Sequence, residues 1–483
     1  MRIPAVALLC TVLLAGCGST VQYTGTQTVT GNGSLGGSSA GAPLNGGQPG
    51  VTVPGSSTTT GSSSVPGATT PGTAGAPGTT GGSGSGTPLA ARNDHTPVIV
   101  GFELIQGGNE LIASGFGTPV NFGDGREEVT AIVNDLNAHG GANGHPIKAV
   151  FAEWNAASGD AGRQQDCAAL IDDGKAQFII TVININSAFL QCTAQHGVPL
   201  VNASFGAGDD YLYRTYGANF FSPSLMSLNR ESALLLRRLT ARGVLSPARK
   251  VGVVIDGTDP QYDRVWKETE VPTLKALGLS YDSYTVAQQA DVNSAVLRFK
   301  SEDIQQVVFI APNGIIAALF MQSAEQQQYR PTYGMGDSTS AWFVASAAPR
   351  NQVKGFQGVG SLPISNVEVQ QYPTTARERA CLDVIAKGGE INADRHASIT
   401  ATVYCEATYA WAAVAQHVNG PLTPQAWRAA YRLVGTAYQP VTTFATSFGN
   451  GQHGNAGMYR DLGWSTGCSC VTYLSGLRPV PVS

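Results

Sequence analysis

From residue 98 onward the hydrophobic pattern alternates between two kinds of segment. Short runs that are apolar throughout and rich in β-branched residues, such as VIVGFEL (98–104), are typical of strands buried on both faces of a parallel sheet. Between them lie stretches with apolar residues three and four positions apart, such as residues 124–141, which begin with acidic residues and end at Gly140 and Gly141. The alternation predicts an α/β fold with helices covering parallel strands.

The alternation breaks near Gly217 and then starts again. The predicted strands before the break are 98–104, 147–153, 178–183 and 199–202, and those after it are 250–256, 281–286, 307–312 and 332–337. Two such series predict two doubly wound parallel-sheet lobes. Ligands of such sheets bind beyond the carboxyl ends of the strands, so the loops after the strands are the places to look for a site.

The first residues follow a different pattern. Arg2 precedes an apolar run from Ile3 to Leu14, which is too short to cross a bilayer as a helix and matches a signal-peptide core. The segment 1–16 is therefore predicted to be a signal peptide. Its last three residues and Cys17 form LAGC (14–17), which resembles a bacterial lipobox and predicts a lipid on Cys17. The alternative is an ordinary secretory cleavage that leaves Cys17 a free thiol.

By composition, the rest of the chain consists of a biased segment, 17–92, and a longer stretch of ordinary composition. Residues 17–92 are almost entirely Gly, Ser, Thr, Pro, Ala and Val, and no window in them has helical or alternating periodicity, so they are predicted to be a disordered tether. The remaining stretch of about 390 residues is long enough for two domains. The formal net charge is −4 and there are no basic clusters, which argues against nucleic acid as a partner. After the signal peptide no apolar run reaches membrane-spanning length.

Cysteine usage fits an oxidising compartment. Six cysteines follow Cys17: Cys167, Cys192, Cys381, Cys405, Cys468 and Cys470. An even number in an exported chain indicates disulfide bonds. Local pairing is expected, because the first two lie on consecutive helical segments and so do the next two. The last two would close a very small ring, and a zinc site is the rival there, although no histidine lies nearer than His453.

A family resemblance rests on an ordered series of segments. These are VIVGFELIQGGNE (98–110), LNAHGGANGHPI (136–147), HGVPLVNAS (196–204), KVGVVIDGTDPQYD (250–263) and GFQGVGSLP (355–363). In order and spacing they resemble the type I periplasmic binding proteins, the branched-chain amino acid and amide binding proteins of ABC importers. The resemblance implies a clamshell whose chain crosses its hinge three times. It places the first lobe at 93–218 and 363–437 and the second at 219–362 and 438–483.

The resemblance also implies ligand-binding residues in the first lobe. After the third strand, Asn184, Asn186 and Ser187 lie where the family holds a ligand carboxylate with hydroxyl and backbone N–H groups at a helix N-terminus. Ordinary capping of that helix by Asn186 or Ser187 is the alternative. After the fourth strand, Ala203 and Ser204 occupy the second ligand loop. The family's Ser-Pro-x-x-Thr pattern is absent there, and a simple turn is the alternative.

Two further candidates lie in the second lobe. Tyr262 matches the aromatic residue that packs on the ligand, and the alternative is a surface position at the start of a helix. Asp337 lies where the family pairs a carboxylate with a ligand ammonium, and the alternative is an N-cap for the Ser-Thr-Ser that follows. The loop 106–110 borders the cleft in either case.

Local signatures of catalysis are missing from the sequence. It has no H-E-x-x-H, no Walker loop and no G-x-G-x-x-G after the first strand, so no enzyme activity, cofactor or metal is expected. The resemblance implies a lipid-anchored protein on the extracytoplasmic face of the cell membrane. It would capture a small polar ligand and deliver it to the membrane permease of an ABC importer. A ligand-sensing receptor is the alternative, and an exported enzyme is a further one.

Overall fold

The computed structural model describes residues 96–106, 123–155, 158–204, 206–312, 314–368, 375–389, 399–449 and 454–481. The predicted signal peptide 1–16, Cys17, the whole of the tether 17–92 and the loop positions 107–110 lie outside these residues. Within the described part of the chain, every helix is too short or too polar to span a bilayer.

The first sheet contains five strands. Its strands are β1 (Val98–Gln106), β2 (Ile147–Asn155), β3 (Phe178–Thr181), β4 (Leu200–Asn202) and β5 (Phe220–Phe221). Of these, β3, β4 and β5 are completely buried, β1 is largely buried and β2 is partly exposed. They lie in the order β2-β1-β3-β4-β5 and all are parallel. Because Phe220–Phe221 pairs with β4, the first sheet continues past the boundary predicted at residue 218, which is wrong by one short strand.

A helix follows each of the first four strands of the first sheet. These helices are α1 (Gly125–Ala138), α2 (Gly159–Ala168, continued by a π-helical turn Ala169–Asp173), α3 (Ser187–Gln195) and α4 (Asp210–Tyr216). Three later helices return to this sheet or to α1, namely α13 (Ala376–Lys387), α14 (Ile399–Ala415) and α15 (Pro424–Ala430). We call this part of the chain the first lobe.

The second sheet begins after α5 (Leu228–Ala241). Its strands are β6 (Val251–Asp256), β7 (Tyr281–Val286), β8 (Gln306–Ile310), β9 (Thr332–Met335), β10 (Gln357–Gly360), β11 (Met458–Ser465), β12 (Cys470–Tyr473) and β13 (Arg478–Pro479). They lie in the order β7-β6-β8-β9-β10-β11-β12, with β13 against β11. The strands β6 to β10 are parallel, whereas the C-terminal strands are antiparallel, an addition that the alternation does not predict.

The remaining helices cover the second sheet, and we call this part the second lobe. They are α6 (Pro260–Val265, continued by a π-helical turn Trp266–Glu270), α7 (Val271–Ala276), α8 (Gln289–Ser301), α9 (Ile315–Gln326), α10 (Ala341–Ala347), α11 (Arg350–Val353) and α12 (Pro363–Asn366). The sheets thus define two α/β lobes, as the restart of the pattern at Gly217 predicts.

The chain passes between the lobes three times. The crossovers run from β5 to α5, from β10 to α13 and from α15 to β11. The second and third lie against each other, because the Thr443 hydroxyl donates to the Ser361 carbonyl oxygen over 2.6 Å. Glu406 of α14 accepts hydrogen bonds from the backbone N–H groups of Val441 and Thr442, at 2.6 and 2.8 Å. These bonds satisfy backbone groups that burial would otherwise leave unpaired.

Disulfide bonds join the cysteines locally, as the sequence predicts. Cys167 of α2 pairs with Cys192 of α3, and Cys381 of α13 pairs with Cys405 of α14. Cys468 and Cys470 form the small ring at the turn between β11 and β12. The first two bonds each tie together a pair of neighbouring helices on the first lobe.

Candidate functional site

The carboxyl ends of the parallel strands place several loops of both lobes near one another. In the first lobe these loops follow β3 and β4, and in the second lobe they follow β6 and β9. Side-chain hydrogen bonds from Gln261 and Arg264, in the helix that follows β6, link the two sets of loops. This meeting of strand ends is the candidate functional site.

The loop after β3 contains the first predicted ligand residues. Asn186 is the N-cap of α3, because its Oδ1 accepts a hydrogen bond from the Phe189 N–H at 3.0 Å. The capping interpretation of Asn186 is therefore confirmed, and its ligand contact stays a prediction. Ser187 is the first residue of α3, and Asn184 and Ser187 are both half-buried.

The loop after β4 is bonded to the loop after β3. The Asn202 side-chain amide donates to the carbonyl oxygen of Ile183 at 2.9 Å. Gly206 lies so close to Asn184 that a Cβ at position 206 would fall 2.8 Å from Asn184 Oδ1. This close approach places the Asn184 side chain directly beside the second loop.

Ser204 and Ala203 are buried within that second loop. The Ser204 hydroxyl lies 2.9 Å from the Gly206 carbonyl oxygen and 3.2 Å from the Gly206 N–H, which it joins in a local turn. The Ala203 N–H donates to the Thr181 carbonyl oxygen at 3.3 Å. The turn interpretation is therefore confirmed for Ser204, whose hydroxyl serves the loop.

A buried ion pair between Glu103 and Arg163 is hydrogen-bonded to Thr181, at the end of β3 where the first of these loops begins. Glu103 of β1 accepts a hydrogen bond from the Thr181 hydroxyl at 2.6 Å and lies 3.1 Å from Arg163 Nη1. Thr181 in turn accepts from the Ile183 N–H at 3.1 Å, at the start of the loop after β3. Burial raises the pKa of Glu103 to about 7, and the Arg163 charge opposes that shift. The sequence pattern gives no signal for this pair.

Helix α6 of the second lobe makes direct contact with the first lobe. Asp259 caps α6 and Pro260 is its first residue, so the following side chains are held at a fixed helix start. Gln261 Nε2 donates to the Ile185 carbonyl oxygen at 3.0 Å, and Arg264 Nε donates to Asp209 Oδ2 at 2.6 Å. These bonds bring the strand ends of the two lobes together.

Gln261 Oε1 at this contact and the Thr339 hydroxyl in the turn after β9 are among the buried polar atoms that have no partner within the described residues. Gln261 is 1% exposed, and its Oε1 accepts no hydrogen bond there. Thr339, in the turn after β9, is completely buried, and its hydroxyl likewise has no partner. Buried polar groups are normally hydrogen-bonded, so both are candidate contacts for a bound polar molecule. Nothing in the sequence pattern distinguishes either residue.

Tyr262 lies inside the second lobe. Its side chain is 5% exposed and packs in the apolar cluster that contains Val253, Ile255 and Val265. Burial raises the pKa of Tyr262, and the nearby carboxylates of Asp256 and Asp259 raise it further. The surface interpretation of Tyr262 is therefore wrong, and a contact with a ligand stays a prediction.

Asp337 is buried in a network of donors from its own chain. Its carboxylate accepts hydrogen bonds from the backbone N–H groups of Ser361 and Leu362, at 2.9 and 3.0 Å, and from the Asn366 side-chain amide at 2.6 Å. These donors lie at the second crossover. The N-cap of the turn after β9 is Gly336, so the capping interpretation of Asp337 is wrong. The Asp337 carboxylate thus bonds the second crossover to the turn that follows β9.

Two more carboxylates extend this buried cluster. Glu231 Oε1 accepts hydrogen bonds from the Ser338 N–H at 3.0 Å and from the Ser338 hydroxyl at 2.7 Å. Gly336 packs against it, because a Cβ there would fall 2.1 Å from Glu231 Oε1. Burial raises the pKa of Glu231 to about 8, with the Asp337 charge adding to the shift, and burial raises the pKa of Glu270 to about 8.

The arrangement is that of a two-lobed binding fold, and comparison with known proteins agrees with it. The model of a family described as periplasmic binding protein matches residues 114–460. The chain belongs to this family, whose type I members are extracytoplasmic binding proteins. No curated protein matches the sequence.

Solved structures share the fold at low sequence identity. A branched-chain amino acid ABC transporter protein from Thermus thermophilus with bound valine is 15% identical, with a TM-score of 0.61, covering 80% of this chain and 97% of that one. The leucine binding protein LivK from Thermotoga maritima is 12% identical, with a TM-score of 0.59, covering 79% and 98%. A solute binding protein from R. palustris in complex with 4-hydroxybenzoate is 14% identical, with a TM-score of 0.59, covering 80% and 98%.

Proposed function

We propose that this chain is a lipid-anchored extracytoplasmic solute-binding protein that captures a small polar ligand between its lobes. It then delivers the ligand to the permease of an ABC importer. The observation that carries the proposal is the contact between strand ends, where Gln261 bonds to the Ile185 carbonyl oxygen and Arg264 pairs with Asp209. Family membership supports it, since the family consists of binding proteins.

The ligand contacts that we propose come from both lobes. The N-terminus of α3, with Asn184, Asn186 and Ser187, would hold an anionic or strongly polar group, because helix N-terminal N–H groups attract negative charge. From the second lobe, the free Gln261 Oε1 would accept a hydrogen bond from a ligand N–H or O–H group.

Under this proposal, Asp337 and the loop of Ala203 and Ser204 act on the ligand in ways other than direct side-chain contact. Asp337 is bonded to the second crossover, so it would act on the ligand through the position of that crossover. Ala203 and Ser204 would offer backbone groups, because the Ser204 hydroxyl closes its own turn.

The proposed mechanism is a shift between open and closed lobes. Only contacts that form in the closed state and not in the open state move this equilibrium. A ligand that bonds to the α3 N-terminus and to Gln261 together would make such contacts. The closed form would then be the one that the permease recognises.

The membrane part of the proposal rests on the sequence alone. A lipid on Cys17 would anchor the chain, and residues 17–92 would tether the lobes to the membrane surface. Cells fed labelled palmitate test it, because the native chain should take up label and a Cys17→Ala variant should not. Equal labelling of the two chains would exclude lipidation at Cys17.

A thermal-shift screen against amino acids, amides, urea and aromatic acids tests the binding function. We expect at least one compound to raise the melting temperature, because binding to the native state alone stabilises it. The compound is then recovered and examined for chemical change. A folded chain that no compound stabilises would contradict the proposal, and conversion of the compound would favour the enzyme alternative.

A further inference from the structure

A second concavity, which we call the arginine pocket, is lined by residues other than those of the strand-end loops. Its volume is about 870 Å³, within the range of ligand sites. Helix α4, the start of α5 and helix α15 supply most of its walls, together with Gly454. Among the described lining residues are four arginines, Arg214, Arg230, Arg428 and Arg432, and a single carboxylate, Asp210.

Among the described residues, the hydrogen bonds of Arg428 go only to neutral acceptors and to no carboxylate. Its Nη1 donates to the Gly197 carbonyl oxygen at 3.0 Å and to Asn219 Oδ1 at 2.8 Å. Both acceptors are neutral, so they fix the guanidinium group without cancelling its charge. Burial lowers the pKa of Arg428, which is the expected direction for a cation held without a counter-ion.

Arg230, at the start of α5, is held in the same way by backbone carbonyl oxygens. Its Nη1 donates to the Gly454 carbonyl oxygen at 3.1 Å, and its Nη2 donates to the Pro481 carbonyl oxygen at 3.3 Å. Burial lowers the pKa of Arg230, and Asp210 is the nearby carboxylate that opposes this shift. Asp210 therefore offsets part of one charge and leaves the pocket strongly positive.

Arg214 and Arg432 are exposed at the same pocket. Arg214 Nη2 lies 4.0 Å from Glu268 Oε2, at the limit of an ion pair, and both side chains are largely in solvent. Exposed pairs of this kind contribute little. Both guanidinium groups are therefore available to an incoming anion.

We propose that the arginine pocket binds a small phosphate-bearing anion, at a site separate from the strand-end loops. Guanidinium groups match phosphate oxygens in pairs of parallel N–H···O bonds, and two of the four are already fixed in position by carbonyl acceptors. The Phe221 and Tyr431 rings also line the pocket and give it an apolar wall for the rest of an organic phosphate. The proposal does not depend on which ligand the strand-end loops bind.

Calorimetric titration of the full chain with inorganic pyrophosphate at constant ionic strength tests the site. We expect saturable binding that weakens by about tenfold or more in an Arg214→Gln/Arg432→Gln double variant. Because both side chains are exposed, this variant should keep the native melting temperature. The matched control is Arg249→Gln/Arg350→Gln, which removes two exposed arginines elsewhere and should leave binding unchanged.

Three outcomes would overturn the proposal. These are no saturable binding to the native chain, unchanged binding in the pocket variant, and equal weakening in the control. Phosphatidylglycerol vesicles, with phosphatidylcholine vesicles for comparison, separate a free phosphate from a lipid headgroup. If only the anionic vesicles bind, and the pocket variant alone loses that binding, the pocket recognises a headgroup and the small-anion proposal is wrong.

Discussion

Arg264 Nε lies 2.6 Å from Asp209 Oδ2, and this ion pair joins helix α6 of the second lobe to the N-cap of α4 in the first. The Asp209 side chain is 1% exposed and the Arg264 side chain 21% exposed. The pair is thus much better shielded from water than a surface ion pair, so its Coulomb attraction is less screened.

Arg264→Gln should therefore favour separation of the lobes. Loss of a partly buried pair of this kind costs about 1–2 kcal/mol, a value between those of exposed and fully buried pairs. Small-angle X-ray scattering should show a larger radius of gyration for the variant, and the affinity for any cleft ligand should fall. Lys267→Gln is the control, because Lys267 pairs with Asp263 on its own helical segment. Equal scattering from all three chains would count against the role of Arg264.

The buried carboxylates Glu231 and Glu270 should make stability fall as the pH rises. Their pKa values of about 8 in the folded protein exceed the ordinary value of 4.5. Between these two pH values the folded state binds more protons than the unfolded state, so the free energy of unfolding decreases with pH. One such group contributes a slope of at most about 1.4 kcal/mol per pH unit. Glu103, with a pKa of about 7, acts in the same direction.

Melting temperatures measured from pH 5 to 8 check this expectation. In the Glu231→Gln variant the amide oxygen can still accept hydrogen bonds from Ser338, but the side chain cannot ionise. The melting temperature of this variant should therefore depend less steeply on pH than that of the native chain. Glu268→Gln, at a half-exposed side chain, should keep the native slope. A native melting temperature that rises through this range would contradict the assignment.

The buried position of Asp337 predicts a structural effect of Asp337→Asn. The new amide would place an N–H donor against the donors of Ser361, Leu362 and Asn366. An unsatisfied buried group costs about 1–3 kcal/mol, so the ligand-free variant should melt at a lower temperature. Asp383→Asn, at an exposed site on α13, should melt like the native chain. If Asp337→Asn only weakens ligand binding, the aspartate is a ligand contact instead.

The disulfide bonds should contribute unequally to stability. Cys381 and Cys405 are 24 positions apart, and loop-closure entropy gives such a bond about 3 kcal/mol. Cys468 and Cys470 are 2 positions apart, so their bond constrains the unfolded chain very little. Double serine variants of each pair, compared by chemical denaturation, should show a large loss for the first and almost none for the second. Equal losses would contradict the entropic account.

The hydrophobic pattern predicted much of the fold, because strands that are buried on both faces of a parallel sheet appear in the sequence as continuous apolar runs. VIVGFEL and KVGVVID, for example, lie in β1 and β6 as expected. The short strand Phe220–Phe221 escaped prediction because a pair of residues has no periodicity. The antiparallel strand β11 escaped because the consecutive charged residues Arg460 and Asp461 interrupt its apolar residues, so it shows neither an apolar run nor a strict alternation.

The site was less predictable because its contacts join residues that are distant in sequence. The helix start at Asp259 and Pro260 is visible in the chain, but the bond from Gln261 to Ile185 depends on how the lobes meet. The carboxylate of Asp337 could be located at a strand end, yet its donors come from the crossover after β10. Neither spacing nor composition contains that information.

Calorimetric titration of the full chain with the compound that gives the largest thermal shift tests whether the protein binds a solute between its lobes. We expect saturable binding of one molecule per chain, with the compound recovered unchanged, and weaker binding in the Arg264→Gln variant than in Lys267→Gln. Absence of saturable binding by any compound in the screen, or chemical conversion of the one that binds, would contradict the proposed function.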